Sequence, residues 1–234
     1  MPSIELHQFS RAFGLPNPGP FCMKLEAFLR QANIDYRVVE CNDPRKGPKG
    51  KVPFIVYQGE RMGDSNLIIE RLSQDFKVDL NAGLSDQEKA IHHSMRAMLD
   101  EHLYFVLVYG RWMDDSNWSV LRNTLFAAIP KLIRGVITSK IRDKVVGDLN
   151  AQGIAKHSPE EIYAMGIQDV DAIATYLSGK TWFGNGKPCL LDISAVTMLA
   201  SFLKVPMNTP VKTHINSNPQ LVKYIENGLS VLFG

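Results

Sequence analysis

The chain has 234 residues, 45% of them hydrophobic and 21% charged, with a formal net charge of +2. That is the balance of a globular protein able to bury a core, and it carries no global signature of nucleic-acid or anionic-membrane binding. Three cysteines, Cys22, Cys41 and Cys189, lack CxxC or zinc-finger spacing, which argues for a reducing compartment and against a disulfide framework or a structural metal.

In chain order, Ile4-Glu5-Leu6-His7-Gln8-Phe9 alternates apolar and polar, the period of a half-buried strand. No basic-then-apolar signal segment precedes it in Pro2-Ser3. A proline-rich loop from Gly14 to Pro20 leads into a helical stripe over residues 21–33, and Pro20 sits in the first turn, where helices accept proline. Residues 35–40 read as a second strand, 41–50 as a polar loop, and 53–57 as a third strand. Gly59-Glu60 then turns the chain into a short return strand at Arg61-Met62. Gly63-Asp64-Ser65-Asn66 reads as a helix N-terminus, opening a helix to Phe76.

Beyond Leu84 the texture becomes helical throughout. Ser85 with Glu88 forms a capping box for a long helix to about residue 115. Further helices are expected over 130–149, 158–177, 190–203 and 219–232, with Ser158-Pro159-Glu160-Glu161 a clean start. The chain therefore divides into an α/β domain over residues 1–78 and an all-α domain over 85–234. The longest apolar run, 103–109, is far shorter than the roughly 20 residues a bilayer span needs, so a cytoplasmic protein without stable membrane insertion is expected.

Everything converges on Gly50-Lys51-Val52-Pro53-Phe54. A proline opening a strand belongs at an edge or a special turn, and it is the residue for which a cis bond is cheap. Together with the helix mouth at Asp64, such a joint makes a small polar binding site. The nearby cluster Arg45, Lys46, Lys49 and Lys51 is either a solvated loop or an anion site.

A small α/β domain with a Val-Pro joint, an acid-Ser pair and a following all-α domain resembles the glutathione transferase superfamily. Glu101-His102-Leu103-Tyr104, Arg111-Trp112-Met113-Asp114-Asp115, His157-Ser158-Pro159-Glu160-Glu161 and Pro20-Phe21-Cys22-Met23-Lys24 resemble its branch related to failed axon connections and the metaxins. The resemblance implies a thioredoxin-like N-terminal domain, an all-α C-terminal domain and a homodimer. It also implies glutathione as co-substrate, bound by Lys51, Val52, Pro53, Asp64 and Ser65. Val52 would offer its backbone to the cysteinyl part, Asp64 would take the γ-glutamyl ammonium, and Ser65 its carboxylate. Cys189 stands where the family places a Ser/Thr cap, leaving Asp192 to hold the helix that follows.

The chemical half of the site departs from the pattern, because Gly19 occupies the nucleophile position ahead of Pro20-Phe21. Cys22 reads either as a thiolate lowered by a helix N-terminus or as a small buried hydrophobe. Ser10 is a second candidate hydroxyl, and the helix mouth with its amides a third means of activation. His102, Tyr109, Arg111 and Trp112 are candidates for an acceptor cleft, and no His/Asp/Glu spacing suggests a metal. The expected function is a glutathione-binding enzyme of detoxification type, conjugating or reducing small electrophiles or disulfides. Its alternative is a non-catalytic glutathione-binding or scaffold module that has lost the nucleophile.

Overall fold

A computed structural model describes residues 4–234; Pro2 and Ser3 lie outside the described residues. Four strands, β1 (Ile4–Gln8), β2 (Tyr36–Glu40), β3 (Phe54–Tyr57) and β4 (Glu60–Gly63), form one sheet in the order β2-β1-β3-β4. β1 and β2 run parallel because helix α1 (Pro20–Gln31) carries the chain back between them. β3 and β4 are antiparallel, joined at Gln58 and Gly59, whose φ values of 53° and 82° suit the primed turns of tight hairpins. Helix α2 (Ser65–Phe76) follows and ends at Lys77 in the left-handed conformation.

The α/β core forms because one face of each element is apolar. Ile4 and Leu6 of β1, Ile55 of β3, Leu25, Phe28 and Leu29 of α1, and Ile68 and Leu72 of α2 are fully buried against one another. At roughly 25 cal/mol per Å² of apolar surface, burial of each such side chain contributes about 1.5–3 kcal/mol.

The second half is helical. Helix α3 (Asp86–Met98) starts at the Ser85–Glu88 capping box and runs through a π turn (Leu99–Leu103) into α4 (Tyr104–Trp112). The expected long helix is thus continuous through a π turn and ends at Trp112, just before Asp114 caps a separate helix, α5 (Asp115–Leu125). Then come α6 (Lys131–Gln152), α7 (Pro159–Leu177), α8 (Leu190–Leu203), α9 (Pro210–Asn216) and α10 (Pro219–Phe233). Helix α9 was not anticipated because it is seven residues long, though Thr209 and Pro210 start it in the ordinary way. None of these helices is long and apolar enough to cross a membrane.

Helix α8 is the axis of this half. It is apolar on every side and buried from Leu191 to Leu203, packing against α1 of the first domain and against α10. Its N-cap is Cys189, and the polar work falls to Asp192, whose side chain is fully buried. The Asp192 carboxylate accepts from the amides of Phe183 (3.0 Å), Gly184 (3.3 Å) and Cys189 (2.9 Å) and from the Tyr224 hydroxyl (2.9 Å). It therefore fastens the loop before α8 and helix α10 to one point. Asp192→Ala should lower unfolding stability by about 3 kcal/mol or more, read as a drop in urea midpoint, because four donors, three of them buried, lose their acceptor together.

Candidate functional site

The register of the sheet assembles the site. Phe54 lies opposite Gly63 in the β3–β4 pair and opposite His7 in the β1–β3 pair. The residues before Phe54 thus emerge at the same sheet end as the residues after Gly63, bringing Val52 and Pro53 beside Asp64 and Ser65. The Val52–Pro53 peptide is cis. Val52 lies beyond the last paired residue of β3, so its main-chain groups stand outside the ladder.

Asp64 is the N-cap of α2. Its Oδ1 accepts from the amides of Asn66 (3.0 Å) and Leu67 (3.2 Å), which satisfies two of the donors a helix start leaves open. Its φ of 85° places a non-glycine residue in a sparsely populated region, as positions shaped for binding often are. Oδ2 takes no part in the cap and faces Lys49 Nζ at 3.9 Å. Ser65, the first helical residue, is buried. The site residues drawn from the sequence, Lys51, Val52, Pro53, Asp64 and Ser65, thus meet at one sheet end.

The basic loop resolves into separate roles. Arg45 donates from Nε and a terminal nitrogen to the Asp43 carboxylate, both at 2.8 Å, and this pairing holds the Asp43 carboxyl down to about 2. Its charge is spent locally. The loop then folds so tightly that a β-carbon on Gly47 would lie 1.9 Å from the Lys51 carbonyl oxygen. Only glycine permits that approach, and the approach sets the position of Lys51 and Val52. Pro48 and Lys49 in turn pack over Gly63, the residue before Asp64.

The loop between β1 and α1, together with the first turn of α1, holds the candidate nucleophiles. The Ser10 hydroxyl donates to Glu40 and accepts from Asn42, both at 2.8 Å. These partners lie at the end of β2, on the opposite side of β1 from β3, so Ser10 is turned away from Val52. Cys22 is buried in α1, where desolvation pushes its thiol up to about 12 despite a hydrogen bond from Phe9. The reading of Cys22 as a lowered thiolate therefore gives way to the packed-hydrophobe reading: burial outweighs the helix mouth. A β-carbon on Gly19 would meet Cys22 Sγ at 3.4 Å, Asn17 Oδ1 at 3.5 Å and Phe9 at 3.6 Å, so that position also points into packed surroundings. Asn17, fully buried, shapes the turn by donating to the Phe9 carbonyl (2.7 Å) and accepting from the Gly19 amide (3.0 Å). Helix α1 itself has no side-chain cap, and Pro20 at its start donates nothing.

The cleft candidates disperse. Arg111 is buried and donates to the carbonyls of Pro18 (2.8 Å) and Ser201 (2.7 Å), tying the β1–α1 loop to α8; burial lowers its pKa to about 10. His102 pairs with Asp169 at 2.6 Å, Tyr109 meets the edge of Tyr163, and Trp112 stacks on Trp118. Each packs within the helical domain. Tyr104 of α4 meets the start of α1, its ring 4.6 Å from that of Phe21.

One group escaped the sequence reading altogether. Lys24 is buried on α1 and donates to Asp100 Oδ2 of the π turn (2.7 Å) and to Asn66 Oδ1 of α2 (3.2 Å). Asn66 also donates to Asp100 (2.9 Å) and accepts from Arg96 of α3 (2.7 Å). Burial lowers the Lys24 pKa, and Asp100 opposes that shift. The residue next to Ser65 is thereby clamped between the domains. A lysine within the apolar Met23-Lys24-Leu25 was the available signal.

Two family models match the chain, the "Glutathione S-transferase N-terminal domain" over residues 20–117 and the "Glutathione S-transferase, C-terminal domain" over residues 166–227. Among curated relatives, Failed axon connections of Drosophila melanogaster is 29% identical over 95% of this chain. The chain spans 56% of that protein's length. The isoprene-epoxide–glutathione S-transferase of Rhodococcus sp. (strain AD45) is 27% identical over 95% of this chain and 96% of its own. A metaxin-1 homolog of Caenorhabditis briggsae is 24% identical, over 97% of this chain and 73% of its own. Among solved structures, the beta-etherase LigF of Sphingobium sp. strain SYK-6 superposes with a TM-score of 0.68 at 16% identity, covering 99% of this chain and 98% of that one. A glutathione S-transferase of Methylobacillus flagellatus with glutathione bound gives 0.61 at 16% identity, with 98% of both chains covered. From the paired domains, the sheet order and these matches, the chain belongs to the glutathione S-transferase superfamily, in the branch related to failed axon connections and the metaxins.

Proposed function

We propose that this chain binds glutathione at Lys51, Val52, Pro53, Asp64 and Ser65 and conjugates or reduces small electrophiles with it. The observation that carries the reading is the main chain of Val52, standing outside the β3 ladder next to the mouth of α2. A tripeptide laid along Val52 extends the sheet by main-chain hydrogen bonds. Its γ-glutamyl carboxylate then meets the Ser65 hydroxyl and amide at a helix N-terminus, where anions are favoured. Its ammonium meets Asp64 Oδ2, the oxygen not used by the cap.

Sulfur activation falls to main-chain amides rather than to a side chain. Ser10 is engaged with Glu40 and Asn42, Cys22 is buried, and Gly19 has nothing to offer. The uncapped first turn of α1 leaves the Phe21 and Cys22 amides to stabilise a thiolate. The thiol proton leaves to solvent, the sulfur attacks an electrophilic carbon, and for an epoxide the C–O bond opens and its oxygen takes a proton from water. The relative named for isoprene epoxide and glutathione supports a small electrophile of this class. A cytoplasmic homodimer completes the proposal, supported by three free cysteines and by exposed Leu67, Phe76 and Ile91 on α2 and α3.

A second reading, a glutathione-binding or scaffold module without chemistry, is favoured by the absence of a side-chain nucleophile at Gly19, with Ser10 engaged and Cys22 buried. Turnover of an epoxide would dismiss it.

Calorimetric titration tests the binding half: Ser65→Ala should weaken glutathione binding about tenfold or more, the loss expected for a hydrogen bond to a carboxylate. Unchanged affinity would sink the assignment. Gly47→Ala should also weaken binding while leaving far-ultraviolet circular dichroism native, because a β-carbon there displaces Lys51 and Val52. For the chemical half, a thiol raised to about 12 forms thiolate only as pH climbs towards that value. Cys22 should therefore resist alkylation in the native protein at neutral pH, and Cys22→Ser should keep its turnover. A glutathione mixed disulfide on Cys22 would contradict this.

A further inference from the structure

Arg111 of α4 is a buried charge without a counter-charge among the described residues. It is 8% exposed, and its hydrogen bonds go to main-chain carbonyls, those of Pro18 (2.8 Å) and Ser201 (2.7 Å). Its Nε is buried and has no partner. The carboxylates on the elements around it are engaged elsewhere. Glu26 of α1 pairs with Arg30, Asp100 of the π turn with Lys24, and Asp169 of α7 with His102, while Asp192 of α8 holds the amides before that helix. The titratable hydroxyls and thiol that α4, α7 and α1 bring to this region, Tyr104, Tyr163 and Cys22, are all kept neutral by burial.

A guanidinium buried in this way is expensive, because it has left water with no carboxylate to replace it. A mechanical tie between two carbonyls does not need a charge. The chain makes one nearby with Asn117, whose side-chain amide donates to the carbonyls of Gly110 (3.0 Å) and Asn208 (2.9 Å). The charge at Arg111 therefore asks for a reason of its own, and its place in the fold supplies one. The Pro18 carbonyl belongs to the peptide whose amide, at Gly19, donates to Asn17 (3.0 Å). That doubly held peptide leads straight into the uncapped first turn of α1. Pro18 and Phe21 are three residues apart, at most about 11 Å of chain. At an effective dielectric near 20, a unit charge about 10 Å away moves a pKa by about one unit.

We propose that Arg111 is a positioning residue for the sulfur end of the site: it fixes the loop that aims the Phe21 and Cys22 amides, and its unpaired charge favours the thiolate of bound glutathione. The inference rests on the glutathione reading above and deepens it. Contact with the sulfur stays with the amides, and Arg111 acts from behind them. The thiol proton leaves to solvent, and the thiolate left behind is the negative partner that the surrounding side chains withhold from the guanidinium. Because the charge is buried, dissolved salt screens it little.

Calorimetry on the full chain with glutathione and with S-methylglutathione, which has no thiol to ionise, is the first test. The wild-type chain should bind both, and glutathione should gain on the thioether as pH rises towards the ordinary thiol pKa of about 8.5. Ultraviolet titration of the thiolate in the complex then reads its pKa. Arg111→Gln keeps a donor and drops the charge. It should raise that pKa by about one unit, leaving about tenfold less thiolate at a fixed pH below it, with S-methylglutathione binding kept. Arg111→Met gives the same reading should the glutamine variant fail to fold, and Arg111→Lys should retain the wild-type pKa. A pKa unmoved by loss of the charge, or raised as much in Arg111→Lys, would overturn the inference. So would identical pH dependence for the two ligands in the wild-type chain. Failure of both ligands to bind would instead remove the glutathione reading, and this inference with it.

Discussion

The buried pair between Lys24 and Asp100 is the constraint on which the arrangement of this molecule turns. Both side chains are buried, at 2% and 6% exposure, so each is tolerable chiefly while the other is in place, and losing one partner of such a pair costs about 3–5 kcal/mol. Lys24 belongs to α1, Asp100 to the π turn, and Asn66 of α2 bridges them. Three elements from two domains therefore have a single relative placement. The π turn has a physical role in this. It adds a residue to the helical turn at the point where the long helix must aim Asp100 at the first domain and His102 at Asp169.

That clamp bears directly on the site, because Asn66 follows Ser65. The mouth of α2 is held from behind by Lys24, Asp100 and Arg96, and from the front by Asp64 acting as its cap. The opposite wall is held by backbone crowding rather than charge, through the contact of Gly47 with Lys51. A helix start and a strand start, each fixed by a different device, face each other across one sheet end. Such preorganisation removes the ordering cost that a flexible site would pay on binding.

The parts legible in the sequence are those written in local chemistry. Pro53, the Asp64-Ser65 pair and the Ser85 and Ser158 caps act within a few residues of themselves, so their meaning survives without tertiary context. The strand and helix order followed from periodicity for the same reason. Helices α5 and α9 were missed because one continues the pattern of its predecessor and the other is a single short stretch. Lys24 and Asp100 stand 76 positions apart, and nothing local distinguishes a buried lysine from an exposed one. Cys22 shows the same gap, since a helix N-terminus lowers a thiol pKa and burial raises it, and only packing decides between them.

In the proposed activity binding and chemistry are separable: a peptide cradle proposed at Val52, Asp64 and Ser65, and a sulfur position without a side-chain nucleophile. The most direct measurement is a crystal structure of the complex with glutathione at a resolution that locates the sulfur. It should show the tripeptide paired with the Val52 main chain, its γ-glutamyl carboxylate at Ser65, and its sulfur facing the amides at the start of α1. Glutathione bound elsewhere, or its sulfur bonded to Cys22, would contradict the account.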